Sequence, residues 1–166
     1  PSPNIVISSY IITNTSNRTF SNLSAGLFFD WDIANYHTNE TFWDNDCGCG
    51  IAKSIAGSFP VIGVKLLSPQ TPTFYPIQIG DTTHDAITLN DGFPRSEKYR
   101  ALSSGIIPSR KSGDIAHIVG ASGMTLQVGS SASVRFAIAG GLSLDEIRNS
   151  FRWLSINLRC FCSTKS

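Results

Sequence analysis

Gly26-Leu27-Phe28-Phe29-Asp30-Trp31-Asp32-Ile33 is the stretch on which the fold turns. At a period of two it sets Leu27, Phe29, Trp31 and Ile33 on one face and Phe28, Asp30 and Asp32 on the other. That pattern is a strand with an apolar inner face and carboxylates on its outer end. Working outward, Ile5 to Thr13 is β-branched and aromatic-rich, and the polar run Thr13-Asn14-Thr15-Ser16-Asn17 follows it as a turn. Further strands are expected at Ile51 to Ala56, Pro60 to Leu67, Phe74 to Ile79, Asp114 to Ala121, Thr125 to Val128 and Ser133 to Ala139. Pro60 to Leu67 has apolar residues on both faces and reads as an outer strand. Pro76 lacks the amide that a ladder needs, which places its strand at an edge.

Two helices complete the pattern. Ser143-Leu144-Asp145-Glu146 has the form of a capping box, and Leu144, Ile147, Phe151, Leu154 and Leu158 recur behind it at helical spacing. A shorter helix spans Arg95 to Ser103, with Gly105 placed to end it in the left-handed conformation. Regular helices between strands, which a parallel sheet would require, are absent. The expected fold is therefore mainly β: an antiparallel β-sandwich with a C-terminal amphipathic helix and one short helix, forming one domain over residues 1–166 with a Cys-containing tail at 159–166.

Composition narrows the function classes. The chain has 166 residues, of which 41% are hydrophobic, enough for a real core without covalent staples. Charged residues are only 15%, against 23 Ser and 12 Thr, a balance that suits an extracellular or cell-surface β protein. The net charge is +1 and the basic residues are scattered, so the pattern argues against nucleic acid as a partner. No apolar stretch approaches the about 20 residues of a membrane span. The opening Pro1-Ser2-Pro3, without an initiator Met or signal-like region, reads as a mature or excised start. The sequons at Asn14, Asn17, Asn22 and Asn39 are candidate glycosylation sites.

The cysteines form two Cys-x-Cys pairs, Cys47 with Cys49 and Cys160 with Cys162. Two such pairs could ligate zinc, but the one-residue spacing is shorter than zinc sites use, and an even count in a secreted chain points to disulfides. The most economical arrangement bridges the first pair to the tail, which would stabilise the fold by roughly 4 to 5 kcal/mol per long bridge. The sequence leaves the connectivity open. Asp30, Asp32, Asp44 and Asp46 make the richest oxygen set, suited to a structural calcium ion. The Asp44-Asn45-Asp46-Cys47-Gly48 run matches only the start of a calcium loop, so turn and strand-end hydrogen bonding is the simpler role. No other cofactor is suggested.

No catalytic constellation is assembled. Gly120-Ala121-Ser122-Gly123 lacks the spacing of a nucleophile elbow and lies in a turn between strands. His37, His84 and His117 fall in different elements and in no metal-binding pattern. Among the aromatics, Trp31 faces inward and Trp153 flanks the helical stripe, leaving Trp43 and Tyr36, in a segment read as loop, to stack on a glycan.

Leu27-Phe28-Phe29-Asp30-Trp31-Asp32-Ile33, Asp91-Gly92-Phe93, Ser96-Glu97-Lys98-Tyr99 and Leu102-Ser103-Ser104-Gly105 also carry a resemblance. With Gly113-Asp114-Ile115, Val134-Arg135-Phe136-Ala137-Ile138-Ala139-Gly140-Gly141 and Ser143-Leu144-Asp145-Glu146-Ile147, they resemble a β-sandwich module found near the carboxy terminus of large secreted bacterial proteins, including subtilisin-like peptidases and cell-surface proteins. The resemblance runs from about Tyr10 to Phe151 and implies a non-catalytic accessory domain. The Cys47 to Cys49 insert and the tail after Leu158 depart from it.

Three readings follow. The chain is a structural or adhesive module that binds proteins, copies of itself in a homo-oligomer or filament among them. Alternatively it is the accessory domain of a secreted protease, or a carbohydrate-binding module. The first reading would use the opening strand, with Ile5, Ile7 and Tyr10 as its interface, adding to the edge of another sheet.

Overall fold

The computed structural model describes residues 4–57, 60–83, 86–90 and 92–162, the last five as backbone. It is an antiparallel sandwich. The strands are β1 (Asn4–Thr13), β2 (Phe20–Trp31), β3 (Asn39–Asp44), β4 (Cys49–Ser54), β5 (Val61–Leu66), β6 (Thr71–Gln78), β7 (Lys111–Gly113), β8 (Ile115–Leu126) and β9 (Ser131–Gly141). They form a six-stranded sheet in the order β1-β9-β5-β4-β3-β7 and a three-stranded sheet in the order β2-β8-β6. The helices are α1 (Arg95–Ser103) and α2 (Leu144–Cys162), both where the sequence pattern puts them. Among the described residues no helix is long and apolar enough to cross a membrane.

Each sheet is covered on both faces. Val64, Leu66, Val134 and Phe136 of the larger sheet pack against Phe74, Val119, Ala121 and Met124 of the smaller one. On the outer face of the larger sheet, Ile147, Phe151 and Leu154 of α2 cover Ile51, Val61, Ala137 and Ala139. On the outer face of the smaller sheet, Ala101 and Leu102 of α1 cover Ile77, Ala116 and Ile118. The layers thus run helix, sheet, sheet, helix, and a strand enclosed this way has no solvent face to mark with polar residues.

This explains the main departure from expectation. β5 is an interior strand, paired with β4 on one side and β9 on the other. Its two apolar faces serve the inter-sheet core and the bed of α2, whereas an outer position was expected from the same pattern. The segment around Trp43 is strand β3, not loop, and Trp43 packs against Phe74 at 5.5 Å between ring centroids. Gly120 to Gly123 lies inside the single strand β8, which takes in two predicted strands; Gly123 is accommodated at φ +77°. Pro76 is on an edge strand, as its missing amide requires.

The capping box forms with a shift. Ser143 Oγ accepts from the Glu146 amide at 3.2 Å, while the Glu146 carboxylate accepts from the amide of Leu142 at 2.8 Å, one residue before the cap. At the other helix, Ser104 N–H closes on Arg100 O at 3.0 Å and Gly105 follows at φ +73°, a left-handed stop. The seat of α1 is a dimple. Gly26 and Gly120 are cross-strand partners, and a methyl on Gly26 would sit 2.5 Å from Leu102 Cδ2.

Candidate protein-interaction edge

β1 is ten residues long, reads NIVISSYIIT, and pairs with β9 along its whole length. It contains no charge, no proline and no register irregularity. Natural edge strands are usually blunted by one of these devices. The other edges are blunted: β7 has three residues, β2 is broken by register shifts around Asn22 (φ +56°), and β6 is capped where Phe74 N–H donates to Gly105 O at 3.0 Å and Phe74 O accepts from Ile107 N–H at 2.9 Å.

The direction of the β1 backbone groups follows from the bonds around it. Asn14 N–H donates to Ser130 O at 2.9 Å and Asn14 O accepts from Gly129 N–H at 3.0 Å, so Asn14 faces β9. On the far side of β9, Leu67 N–H donates to Arg135 O at 2.8 Å, so odd residues of β9 serve β5 and even ones serve β1. In an antiparallel ladder alternate residues turn both backbone groups the same way. The even residues Asn4 to Ile12 therefore bond β9, and Ile5, Ile7, Ser9, Ile11 and Thr13 present N–H and C=O outward. The Thr13 and Ser131 hydroxyls meet at 2.8 Å, as the close side chains of a non-hydrogen-bonded pair should.

Side chains alternate between the faces. Ile5 packs on the cluster beneath α2 and Ile12 on the inter-sheet cluster. Between them Val6 is 63% exposed, Ile7 46%, Tyr10 47% and Ile11 75%. Of the expected interface residues, Ile7 and Tyr10 are open, whereas Ile5 is half-buried. Val6 and Ile11, the most open of the strand's large apolar side chains, carry no mark in the sequence that singles them out. The signal that could have found them is the uncharged run itself.

The aspartates divide into two groups. Asp44 is buried and accepts from Arg148 Nε and Nη2 at 3.1 and 2.7 Å and from the amides of Asp46 and Cys47 at 2.9 and 3.0 Å. Asp46 lies 2.9 Å from the same guanidinium. Burial alone would raise the Asp44 carboxyl, but the Arg148 hydrogen bonds and those backbone amides hold it below its ordinary range. Asp30 is raised by burial and by the charges of Asp32 and Asp114. The calcium set thus does not converge, and among the described residues no three His, Cys, Asp or Glu side chains are placed to hold a metal. Arg148→Ala would leave Asp44 with its backbone donors alone, and we expect a lower urea midpoint at neutral pH, with Arg148→Lys recovering part of the loss.

Cys47 and Cys49 are bonded to each other across Gly48, which stands at φ +60°. The expected bridge from this loop to the tail is therefore not made by either of them. Closing a ring this small restricts the unfolded chain far less than a loop of a hundred residues would. The side chains of Cys160 and Cys162 lie outside the described residues.

Two of the four sequons are occupied by the fold. Asn14 is buried and its Nδ2 donates to the carbonyls of Arg18, Leu126 and Gln127 at 2.8, 3.0 and 3.1 Å, tying the turn after β1 to the end of β8. Asn39 is fully buried and its Nδ2 donates to Trp31 O at 2.8 Å. Neither nitrogen can carry a glycan in the folded chain, whereas Asn17 and Asn22 are exposed.

His117 is a core residue. It is fully buried on β8 among Phe29, Trp31 and Phe74, with Nδ1 2.8 Å from Thr41 Oγ1 and accepting from Trp31 Nε1–H at 3.3 Å. Burial lowers the imidazole to about 3. His37 lies in the single turn at Tyr36–Thr38, stacked on the exposed Tyr36, and His84 lies outside the described residues. Glu40, buried on β3, is held by Lys53 and Arg110 at 3.0 and 2.5 Å. Trp43 faces the core, which leaves Tyr36 without the neighbouring Trp that a sugar-stacking surface was expected to use.

No protein-family model matches this chain, and no curated protein matches it.

Proposed function

We propose that this domain is a non-catalytic extracellular module that works by protein contact, with the open edge of β1 receiving an extended segment of its partner. The observation that carries the reading is a ten-residue edge strand without charge, whose odd-numbered residues turn outward backbone groups that have no strand partner among the described residues, and whose Val6, Ile7, Tyr10 and Ile11 side chains are exposed. Backbone pairing supplies the affinity in such an interaction, and the side chains on alternate faces supply its selectivity. The low charge of the whole chain and its accessible sequons at Asn17 and Asn22 fit a place outside the cell.

Binding of unstructured apolar peptides of alternating Val and Thr, followed by amide exchange and chemical shifts, tests it. Protection should appear at the amides of Ile5, Ile7, Ser9 and Ile11, and not on β7. Peptide binding that leaves those four amides unprotected would sink the proposal.

A further inference from the structure

We infer that the partner segment at this edge is β1 of a second copy, joined antiparallel about a two-fold axis at Ser9. The inference rests on the edge reading above and adds the occupant and the register. What singles out a copy of itself is the placing of the open isoleucines: Ile7 and Ile11 stand symmetrically about Ser9, so a two-fold pairing sets each against the other, and β1 carries no charge that such a pairing could oppose.

Register follows from the backbone. Only odd residues have outward-facing amides and carbonyls, so the hydrogen-bonded pairs must join odd to odd. The register centred on Ser9 sets Ser9 against its own copy, Ile7 against the partner's Ile11, and Ile5 against the partner's Thr13. On the opposite face it sets Val6 against the partner's Ile12 and Ser8 against the partner's Tyr10. Ile7 and Ile11, both exposed, then cover one another twice, and four isoleucines close over the axis on the face that carries α2. A register centred on Ser8 instead leaves each Ile7 against a serine. A two-fold contact of this kind closes on itself, so the product is a dimer with one continuous twelve-stranded sheet rather than an open fibre.

Sedimentation of the full chain from micromolar to millimolar concentration should show a reversible dimer. Ile11→Lys, at an exposed position, should weaken it by about tenfold or more, and Ile7→Glu combined with Ile11→Lys should restore it, since each glutamate then faces a lysine. Under mild oxidation Ser9→Cys should crosslink through residue 9, because a hydrogen-bonded antiparallel pair has a Cα separation of about 5.5 Å, within the disulfide range. Val6→Cys, which would face Ile12, should not. A chain that stays monomeric throughout, or a dimer indifferent to Ile11→Lys, overturns the inference. If a monomer still binds the Val/Thr peptides at the odd amides, the edge reading stands and only self-pairing fails; if neither occurs, both fail.

Discussion

Gly63→Val is expected to lift α2 off the sandwich and to cost about 3 kcal/mol or more, the upper range for overfilling a packed core. Gly63 lies on the interior strand β5, under the helix. A single methyl there would stand 2.5 Å from Ile147 Cγ2 and 2.7 Å from Phe151 Cε2, closer than carbon atoms approach one another. Neither side chain can step aside, because both are buried in the cluster with Val61, Ala137 and Ala139. Gly141 continues the bed, where a methyl would meet Glu146 Cβ at 3.0 Å. The helix sits close only because the strands beneath it present small residues. Burying its Ile147, Phe151 and Leu154 stabilises the fold by about 2 kcal/mol each, and a helix held away from the sheet forfeits much of that. Urea unfolding measures the loss. Fluorescence of Trp153, half-exposed on α2, reports whether the helix separates before the sheets do. A cost under about 1 kcal/mol would mean that the bed of α2 is not as tight as these distances require.

Acid should destabilise the domain well before its carboxylates titrate, and His117 is the cause. Its folded-state value is lowered from 6.5 to about 3 because the charged ring would be buried without solvent. The unfolded chain therefore takes up the proton first. The stabilisation is fully present above the unfolded value and falls away as pH drops below it, reaching a loss of about 2 kcal/mol near pH 5 by linkage. Asp44 and Glu40 have lowered values, so their contributions vanish only at lower pH, and Asp30, whose value is raised, acts with the opposite sign and can only offset the loss, so a fall in stability between 6.5 and 5 belongs to the histidine. Urea midpoints at pH 7 and at pH 5 test this. His117→Gln, which keeps a polar partner for Thr41, should be flatter across that interval than the parent. Equal slopes in the two proteins would remove His117 as the origin.

Legibility in the sequence tracked the kind of signal each element sends. Local signals were reliable: Ser143 with Glu146 marked the start of α2, Gly105 marked the stop of α1, and Pro76 marked an edge. Signals that depend on a second layer were misread. The two apolar faces of β5 suggested an outer strand, since nothing in Val61 to Leu66 announces that α2 returns from eighty residues away to cover it. β3 was missed because Thr41, Trp43 and Asp44 are polar or bulky residues whose partners, His117, Phe74 and Arg148, come from distant segments. The sequons at Asn14 and Asn39 were legible as motifs, yet whether a side-chain amide meets solvent or three carbonyls depends on how loops pack.

By itself, then, the sequence determined that strands alternate with turns, that the chain ends in a capped amphipathic helix, and that its opening strand is apolar and uncharged. These are properties of neighbours in the chain, set by backbone sterics and by the period of the apolar residues. Tertiary structure alone decided that this opening strand lies at the rim of the six-stranded sheet, that its odd residues turn their amides outward, and that Asp44 and Asp46 share the guanidinium of Arg148. The physical reason is that a strand's pattern specifies two faces but not which edge is left unpaired, and an edge is defined only by the strands that are not beside it.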